Sequence, residues 1–414
     1  MSALQPVRGT HDILPDEMRR HRRVVETARA VAERYGYLEM ATPIFEFTEV
    51  FRRPLGETSD VVSKETYSFA DRGGEELTLR PEATAAVARA FLSAGLTHEL
   101  PCKFFCHGPM FRYDRPQKGR QRQFHQINVE LLGVAEPLGD VEMIALGVNI
   151  LDELGVLGRT VLELNTLGDP DSRKAYRDVL VAYFSDHADQ LSPESQERLS
   201  RNPLRILDSK DPRDGPIVAG APALAEYLNQ ASRDFFATVA EGLTALGIAY
   251  RLNPHLVRGL DYYTHSIFEV TTNALGAQAT VMGGGRYDGL IELLGGPPTP
   301  GVGWAAGIER LAMLMTETPP ASRPIAMVPV GAAAEARALL VTQTLRKAGL
   351  AVDLGFAGNV KKRMRRANKV GARVAVLLGD DELARNAATV RDLESGEQEL
   401  VCLDALTERL ARLR

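Results

Sequence analysis

Apolar positions along the chain follow two periods. Val24, Ala28, Val31 and Tyr35 recur at spacings of four, three and four, which predicts an amphipathic helix over residues 16–35. Asp16 is placed to cap it and Gly36 to end it. Tyr37 to Glu46 reads as extended, and Pro43 confines it to an edge or a strand end. Pro81 suits the first turn of a helix that runs to Leu92. Lys103–Arg112 and Gln123–Leu132 then alternate around a basic loop, which predicts an antiparallel hairpin. Phe268–Thr272 and Ala279–Met282 form a second strand pair, and residues 140–155 and 303–315 read as helices.

Between about 170 and 248 the pattern is more polar and mostly helical, broken by the Pro/Asp/Gly-rich stretch Asp208–Pro216. This segment reads as an insertion in a larger domain. Pro319 to Pro324 is a linker. Beyond it, Ile325–Val330, Ala351–Leu354 and Arg373–Leu378 are short apolar strands separated by helical stretches, the pattern of a small α/β domain. The expected organisation is α+β, with a domain at 1–320 and a second at 325–414.

Composition narrows the class. The 414 residues are 44% hydrophobic and 25% charged, enough to build cores and average for a globular protein. No run approaches the ~18 consecutive apolar residues of a membrane span, and the first residues carry no basic-then-apolar leader. Three cysteines (Cys102, Cys106 and Cys402) do not make a disulfide framework, so a reducing, cytoplasmic setting and no membrane are expected. A net charge of -5 means that any nucleic-acid contact must come from local basic patches.

Candidate chemistry lies in the strand-like segments. Arg112, Arg115, Lys118, Arg120 and Arg122 crowd a loop with one acid, Asp114. Guanidinium forks bind phosphate bidentately, although charge alone fits a solvated surface loop equally well. On the returning strand Gln126 and Glu130 alternate in phase with Phe124, and a polar set on an interior strand needs a ligand or a partner. Arg258 precedes the pair Tyr262 and Tyr263. Gly283–Gly289 lets a group approach the backbone, yet it has neither a P-loop ending nor the strand–turn–helix setting of a dinucleotide fingerprint. Arg310, placed on the second turn of its helix, alone suggests a surface salt bridge. Cys102, Cys106 and His107 lack a second pair at zinc spacing, so the cysteines read as core. His11, His107, His125 and His265 stand alone and suit structural or substrate-shaping roles.

Together these segments resemble the class II aminoacyl-tRNA synthetases, and specifically the histidyl-tRNA synthetase family. Thr42–Glu46 resembles motif 1, Phe111–Arg120 through Gln126 resembles motif 2, and Gly303–Leu311 resembles motif 3. Leu256–Tyr263 and Gly284–Gly289 resemble the histidine-specific signatures, and Arg8–Asp12 and Thr78–Glu82 fit as well. The match spans nearly the whole chain in family order.

The resemblance implies an antiparallel class II catalytic sheet flanked by helices at 1–320, with the helical insertion, and an anticodon-binding domain at 325–414. It implies activation of L-histidine with ATP, release of pyrophosphate, and transfer of histidine to the 3′ end of tRNA(His). Glu82 would hold the α-amino group beside Ala83 and Thr84. Gln126 would orient the amino acid, and Glu130 and Tyr263 would meet the imidazole nitrogens. Tyr262 and Tyr287 would line the pocket. Arg112 and Arg310 would grip the ATP phosphates, Phe124 would stack on adenine, and Asp114 and Arg120 belong to the ATP side. Arg258 would touch both the histidine carboxylate and the α-phosphate, making Arg258, Arg112 and Arg310 the catalytic set. Two positions depart from the family pattern: Asp114 stands where bacterial members usually carry glutamate, and Ala83 where many carry glycine. Arg115 and Gln117 would read the acceptor end, including an extra 5′ guanosine. Lys361, Lys362, Arg365 and Arg366, on a basic helix, would reach the tRNA in the C-terminal domain. Mg²⁺ and a homodimer built on motif 1 are implied too. The alternative is a histidyl-tRNA-synthetase-like regulatory subunit of ATP phosphoribosyltransferase. That relative lacks the anticodon domain and usually loses catalytic residues, which are present here.

Overall fold

The structure is a computed structural model that describes residues 4–55, 65–117, 119–258, 262–276 and 279–413. Lys118 of the basic loop and Gly259, Leu260 and Asp261 of the arginine–tyrosine segment lie outside the described residues. The chain divides into two compact units, Met1–Pro319 and Pro320–Arg414.

The first unit is built on an eight-stranded sheet. In chain order the strands of this unit are β1 Leu38–Glu39, β2 Phe45–Phe47, β3 Tyr67–Ala70, β4 Glu76–Leu79, β5 Cys102–Phe111 and β6 Gln123–Leu132. They continue with β7 Val161–Thr166, β8 Arg251–Leu252, β9 Thr264–Thr272, β10 Ala279–Arg286 and β11 Gly301–Gly307. The spatial order of the large sheet is β1-β5-β6-β11-β10-β9-β7-β8. Its central strands pair antiparallel, as expected. The two-residue edge strands β1 and β8 pair in parallel with β5 and β7, so the sheet is mixed at its rims. β2, β4 and β3 form a small separate sheet.

The hairpin β5–β6 appears where alternation placed it, in register from Cys102 opposite Leu132 to Phe111 opposite Gln123. Alternation also explains how the sheet's two faces are covered. Ile127, Val129 and Leu131 of β6 join Val24, Ala28 and Val31 of the helix Pro15–Arg34, and Ile144 of the helix Pro137–Glu153, in one core. The opposite face packs on a second core, formed with Phe91 of the helix Thr84–Ser93 and with Tyr176, Leu180, Leu204 and Leu207 from the 170–248 segment. That segment is helical, with helices Pro170–Asp186, Pro193–Arg201 and Gln230–Ala245.

Four local expectations need correction. The first helix begins at Pro15 with Leu14 before it, and no side chain caps it; the proline occupies the turn where its missing N–H costs nothing. The helix expected from Pro81 begins at Thr84, after Pro81 and Glu82. Gly301–Gly307 is a strand rather than a helix start, so Arg310 lies in the first turn of the helix Ile308–Leu314. The glycines of the 283–286 run also lie inside a strand, β10. The reason is close contact. A Cβ on Gly303 would strike the Glu130 carboxylate, and one on Gly284 would strike the Gly303 carbonyl and Trp304, so only glycine lets β6, β11 and β10 meet here.

The second unit has strands β12 Ile325–Pro329, β13 Val352–Leu354 and β14 Val374–Leu378, mutually parallel. It adds an antiparallel pair that the pattern did not single out, β15 Ala387–Asp392 and β16 Gln398–Cys402.

Candidate active site

The polar face of β6 opens into a cavity of about 380 Å³. Glu82, Thr84, Gln126, Arg258, Tyr262 and Tyr263 line one part of it, and Arg112, Asp114, Arg120, Phe124, Glu309 and Arg310 another. These residues come from distant parts of the chain, and the sheet order brings them together: β6 adjoins β11, which leads directly into the helix that carries Arg310.

At the inner end lies a network of buried groups. Glu130 is fully buried and accepts hydrogen bonds from Thr84 Oγ1 at 2.7 Å and from the Tyr287 hydroxyl. Burial pushes its carboxyl up to about 8, against the pull of those two donors. Glu82 accepts the backbone N–H of Thr84 at 2.7 Å and of Ala85 at 2.8 Å, so its carboxylate sits at the start of the helix Thr84–Ser93. Burial raises its pKa as well, opposed by those N–H groups. Tyr262 packs between Tyr263 and Tyr287, with ring centroids 4.7 and 5.8 Å away. Ala83, Glu130 and Tyr287 are not among the residues that line the cavity; Ala83 packs with Val87, Cys106 and Met110.

The outer end is cationic. Arg112 donates from Nε to the Pro81 carbonyl at 2.9 Å and lies 5.5 Å from the centre of the Phe124 ring. Arg310 donates from Nε to the Gly119 carbonyl at 2.9 Å and from Nη1 to the Thr280 carbonyl. Burial, then Arg120 and Arg112, lower its pKa, as expected where cations crowd one place. Arg120 stands 3.3 Å from Asp114. Such a cluster suits a polyanion.

Arg258 stands between the two ends. It pairs with Glu269 and lies over Gly283, where a Cβ would come within 2.7 Å of Nη1. That is the close approach the glycine run allows. Its Nε is buried with no partner, and so is Oε1 of Gln126. Buried polar atoms are nearly always paired, so two orphans on the wall of one cavity mark where ligand atoms belong.

Sequence reasoning passed over several wall residues. Glu269 ties Arg258 and accepts from Thr280 Oγ1 at 2.8 Å; a lone acid inside the apolar strand Phe268–Thr272 was its signal. Glu309 accepts the backbone N–H of His125 at 2.9 and 3.0 Å and meets Nδ1 of that ring at 2.8 Å. Arg205 reaches the cavity from the 170–248 segment, a charge inside the apolar run Pro203–Leu207. Cys102 and Cys106 are buried core residues, and burial pushes the Cys106 thiol up to about 12, far from a reactive thiolate.

The residues assigned to tRNA lie elsewhere. Arg115 and Gln117 are exposed on the loop between β5 and β6, where Gln117 pairs with Arg120 in an isolated bridge. In the second unit, Lys361, Lys362 and Arg365 are exposed on the helix Val360–Lys369. Arg366 is tied to Asp353 at 2.8 and 2.7 Å, and Arg363 turns inward to Glu335 and the Pro329 carbonyl.

The chain is similar to known proteins along its whole length. The family model described as histidyl-tRNA synthetase matches residues 9–172 and 173–311, and the one described as anticodon binding domain matches 325–413. A histidine–tRNA ligase of Rhodospirillum rubrum is 62% identical over 413 residues, covering 100% of both chains. One of Gluconacetobacter diazotrophicus is 56% identical over the same span, again covering 100% of both. The crystal structure of apo S. aureus histidyl-tRNA synthetase superposes with a TM-score of 0.83 at 35% identity, covering 98% of this chain and 99% of that one.

Proposed function

The chain belongs to the histidyl-tRNA synthetase family, and from that premise we propose how its cavity performs the family's reaction. It is a histidine–tRNA ligase, which forms histidyl-adenylate from L-histidine and ATP with release of pyrophosphate and then transfers histidine to tRNA(His). Relatives named histidine–tRNA ligase match over its full length, which disfavours the regulatory-subunit reading.

The inner end is assigned to histidine. Neutral imidazole offers one donor and one acceptor, and Glu130 and Tyr263 are the pair that reads them. Glu82 and Thr84 take the α-amino group, with Gln126 orienting the ligand, and Ala83, Tyr262 and Tyr287 shape the pocket behind it. The outer end is assigned to ATP, with Phe124 on adenine, Asp114 and Arg120 beside it, and Arg112 and Arg310 on the phosphates. A histidine carboxylate oxygen forms a bond to the α-phosphorus while the bond to pyrophosphate breaks, and the electron pair leaves with pyrophosphate. No protein nucleophile is required. Catalysis is the alignment of two anions and stabilisation of the charge that develops. Arg258, between the ends, holds both the carboxylate and the α-phosphate. The observation that carries this reading is the pair of orphaned buried atoms, Arg258 Nε and Gln126 Oε1, in a cavity acidic at one end and cationic at the other.

Mg²⁺ typically takes one or two carboxylates beside substrate phosphates, and Glu269 on the cavity wall suits that role; the ion would neutralise phosphate charge. Arg115 and Gln117 are assigned to the acceptor end, and Lys361, Lys362, Arg365 and Arg366 to the anticodon side, with 1–320 as catalytic domain and 325–414 as anticodon-binding domain. The small sheet leaves Phe45, Phe47 and Phe69 roughly half exposed, an apolar face that supports a homodimer. Sedimentation at micromolar concentration should give the mass of two chains. Among the described residues no helix is long and apolar enough to cross a membrane, and a cytoplasmic site of action follows from the tRNA substrate.

The reaction is tested by ATP–pyrophosphate exchange with each of the twenty amino acids in turn. Exchange with histidine alone is expected. Exchange with none would return the regulatory subunit to consideration.

A further inference from the structure

His21, His125 and Glu309 come from three different elements, the helix Pro15–Arg34, strand β6 and the helix Ile308–Leu314. Each offers one ligand atom, and those atoms all lie within 4.8 Å of one another. His21 and Glu309 are buried, and His125 is partly buried. The His21 ring meets the His125 ring edge-on at 5.9 Å. Its Nε2 is buried without a hydrogen-bond partner, and the nearest carboxylate oxygen of Glu17 is 3.9 Å away, too far for one.

A core histidine usually settles both nitrogens on fixed partners. This one presents a bare nitrogen beside a second imidazole and a carboxylate. A second cavity, of about 440 Å³ and lined by Glu17, His21 and Glu309 among others, gives a route from solvent and room for water. The arginines on that wall are already engaged. Arg19 is held by Asp16 at 2.9 Å and by the Pro319 carbonyl at 3.0 Å, and Arg20 by Thr318 at 2.8 Å.

We propose that His21, His125 and Glu309 form a binding site for a divalent transition-metal ion of the zinc class, with a water at the fourth position facing the second cavity. Two imidazoles and one carboxylate select this class over Mg²⁺ or Ca²⁺, which take oxygen donors. Bonds of ~2.1 Å place tetrahedral donors roughly 3.4 Å apart. His125 Nδ1 and Glu309 lie 2.8 Å apart, at hydrogen-bond distance, so metal entry would displace the proton between them and open the pair by roughly 0.6 Å, while His21 closes from within 4.8 Å. The ion would pin the first helix to the strand and helix that carry Phe124 and Arg310. The proposal is independent of which amino acid the enzyme activates.

The test uses the full chain, stripped of metal and titrated with Co²⁺, whose visible absorption reports four-coordinate nitrogen–oxygen ligation. One equivalent should bind with that absorption, and Zn²⁺ should displace it. His21→Phe should weaken Co²⁺ binding beyond the ~10–100-fold that disturbing an outer-shell partner produces. It should keep ATP–pyrophosphate exchange, since His21 lies outside the ATP and histidine cavity. If the phenylalanine variant does not fold, His21→Asn carries the same expectation. Glu17→Gln should bind as the parent does. A parent without the visible band, or a His21 variant binding with parental affinity, overturns the proposal.

Discussion

In the proposed site, recognition of imidazole rests largely on one carboxyl, Glu130. It lies on an interior strand, donors hold both its oxygens, and Gly303 gives it room. Glu130→Gln keeps the shape but replaces a carboxyl that can hold or yield a proton with an amide that cannot. Leaving one buried hydrogen-bonding group without its partner costs about 1–3 kcal/mol, so KM for histidine should rise roughly 5–100-fold in pyrophosphate exchange while KM for ATP barely moves. Equal losses for both substrates would remove Glu130 from the imidazole pocket. The raised pKa also has a stability signature. The unfolded carboxyl ionises near 4.5 whereas the folded one stays protonated until about 8. Across that window the unfolded state binds fewer protons, so this group's contribution is complete below the unfolded value and is lost as pH rises through the folded one. Urea midpoints from pH 5 to pH 8 should therefore fall more steeply in the parent than in Glu130→Gln; parallel profiles would contradict it. Arg258→Ala removes the proposed bridge between the two substrates. By analogy with loss of an oxyanion-stabilising donor, adenylate formation should slow about 10²–10³-fold in single turnover, and parental rates would exclude that role.

Elements with a clear period could be read from the sequence, and elements made of glycine could not. β6 lies over 123–132 as its alternation indicated, because one of its faces meets the apolar core and the other meets the site. The candidate residues Gln126 and Glu130 followed from that same alternation. Gly283–Gly285 has no apolar period, since side chains are absent where neighbours press against the backbone, whereas Val302, Trp304 and Ala306 alternate with small residues and enter the core, a strand period that the helix reading of 303–315 overlooks. Tertiary contact decides the glycine run of β10, which had no local signal of its own. Glu309 was equally hidden, because its partner His125 lies far away in sequence and only the sheet order joins them. Gly303→Ala tests the packing argument. Overpacking costs about 1–3 kcal/mol, and here the added carbon meets the Glu130 carboxylate. Both unfolding free energy and histidine activation should drop. A variant with parental stability and activity would show that β6 and β11 can separate without cost.

For the whole molecule, the two compact units each carry their own buried clusters. A chain ending at Pro319 should therefore keep histidine-dependent pyrophosphate exchange within a fewfold and lose most charging of tRNA(His). Undiminished aminoacylation would show that the C-terminal unit does not serve tRNA. The sheet that holds the site also imposes an order in time. β6 is flanked by β5, which precedes it, and by β11, which ends at Gly307. At ~5–20 residues per second, a ribosome takes roughly 10–35 s to pass from Leu132 to Gly307. Through that interval the nascent hairpin exposes the edge of β6, with Gln126, Asn128 and Glu130 awaiting a neighbour. Bare strand edges invite wrong pairings, so the strand at the centre of the proposed site is also where the newborn chain stays long exposed, and slowing synthesis between these points would extend its risk of aggregation.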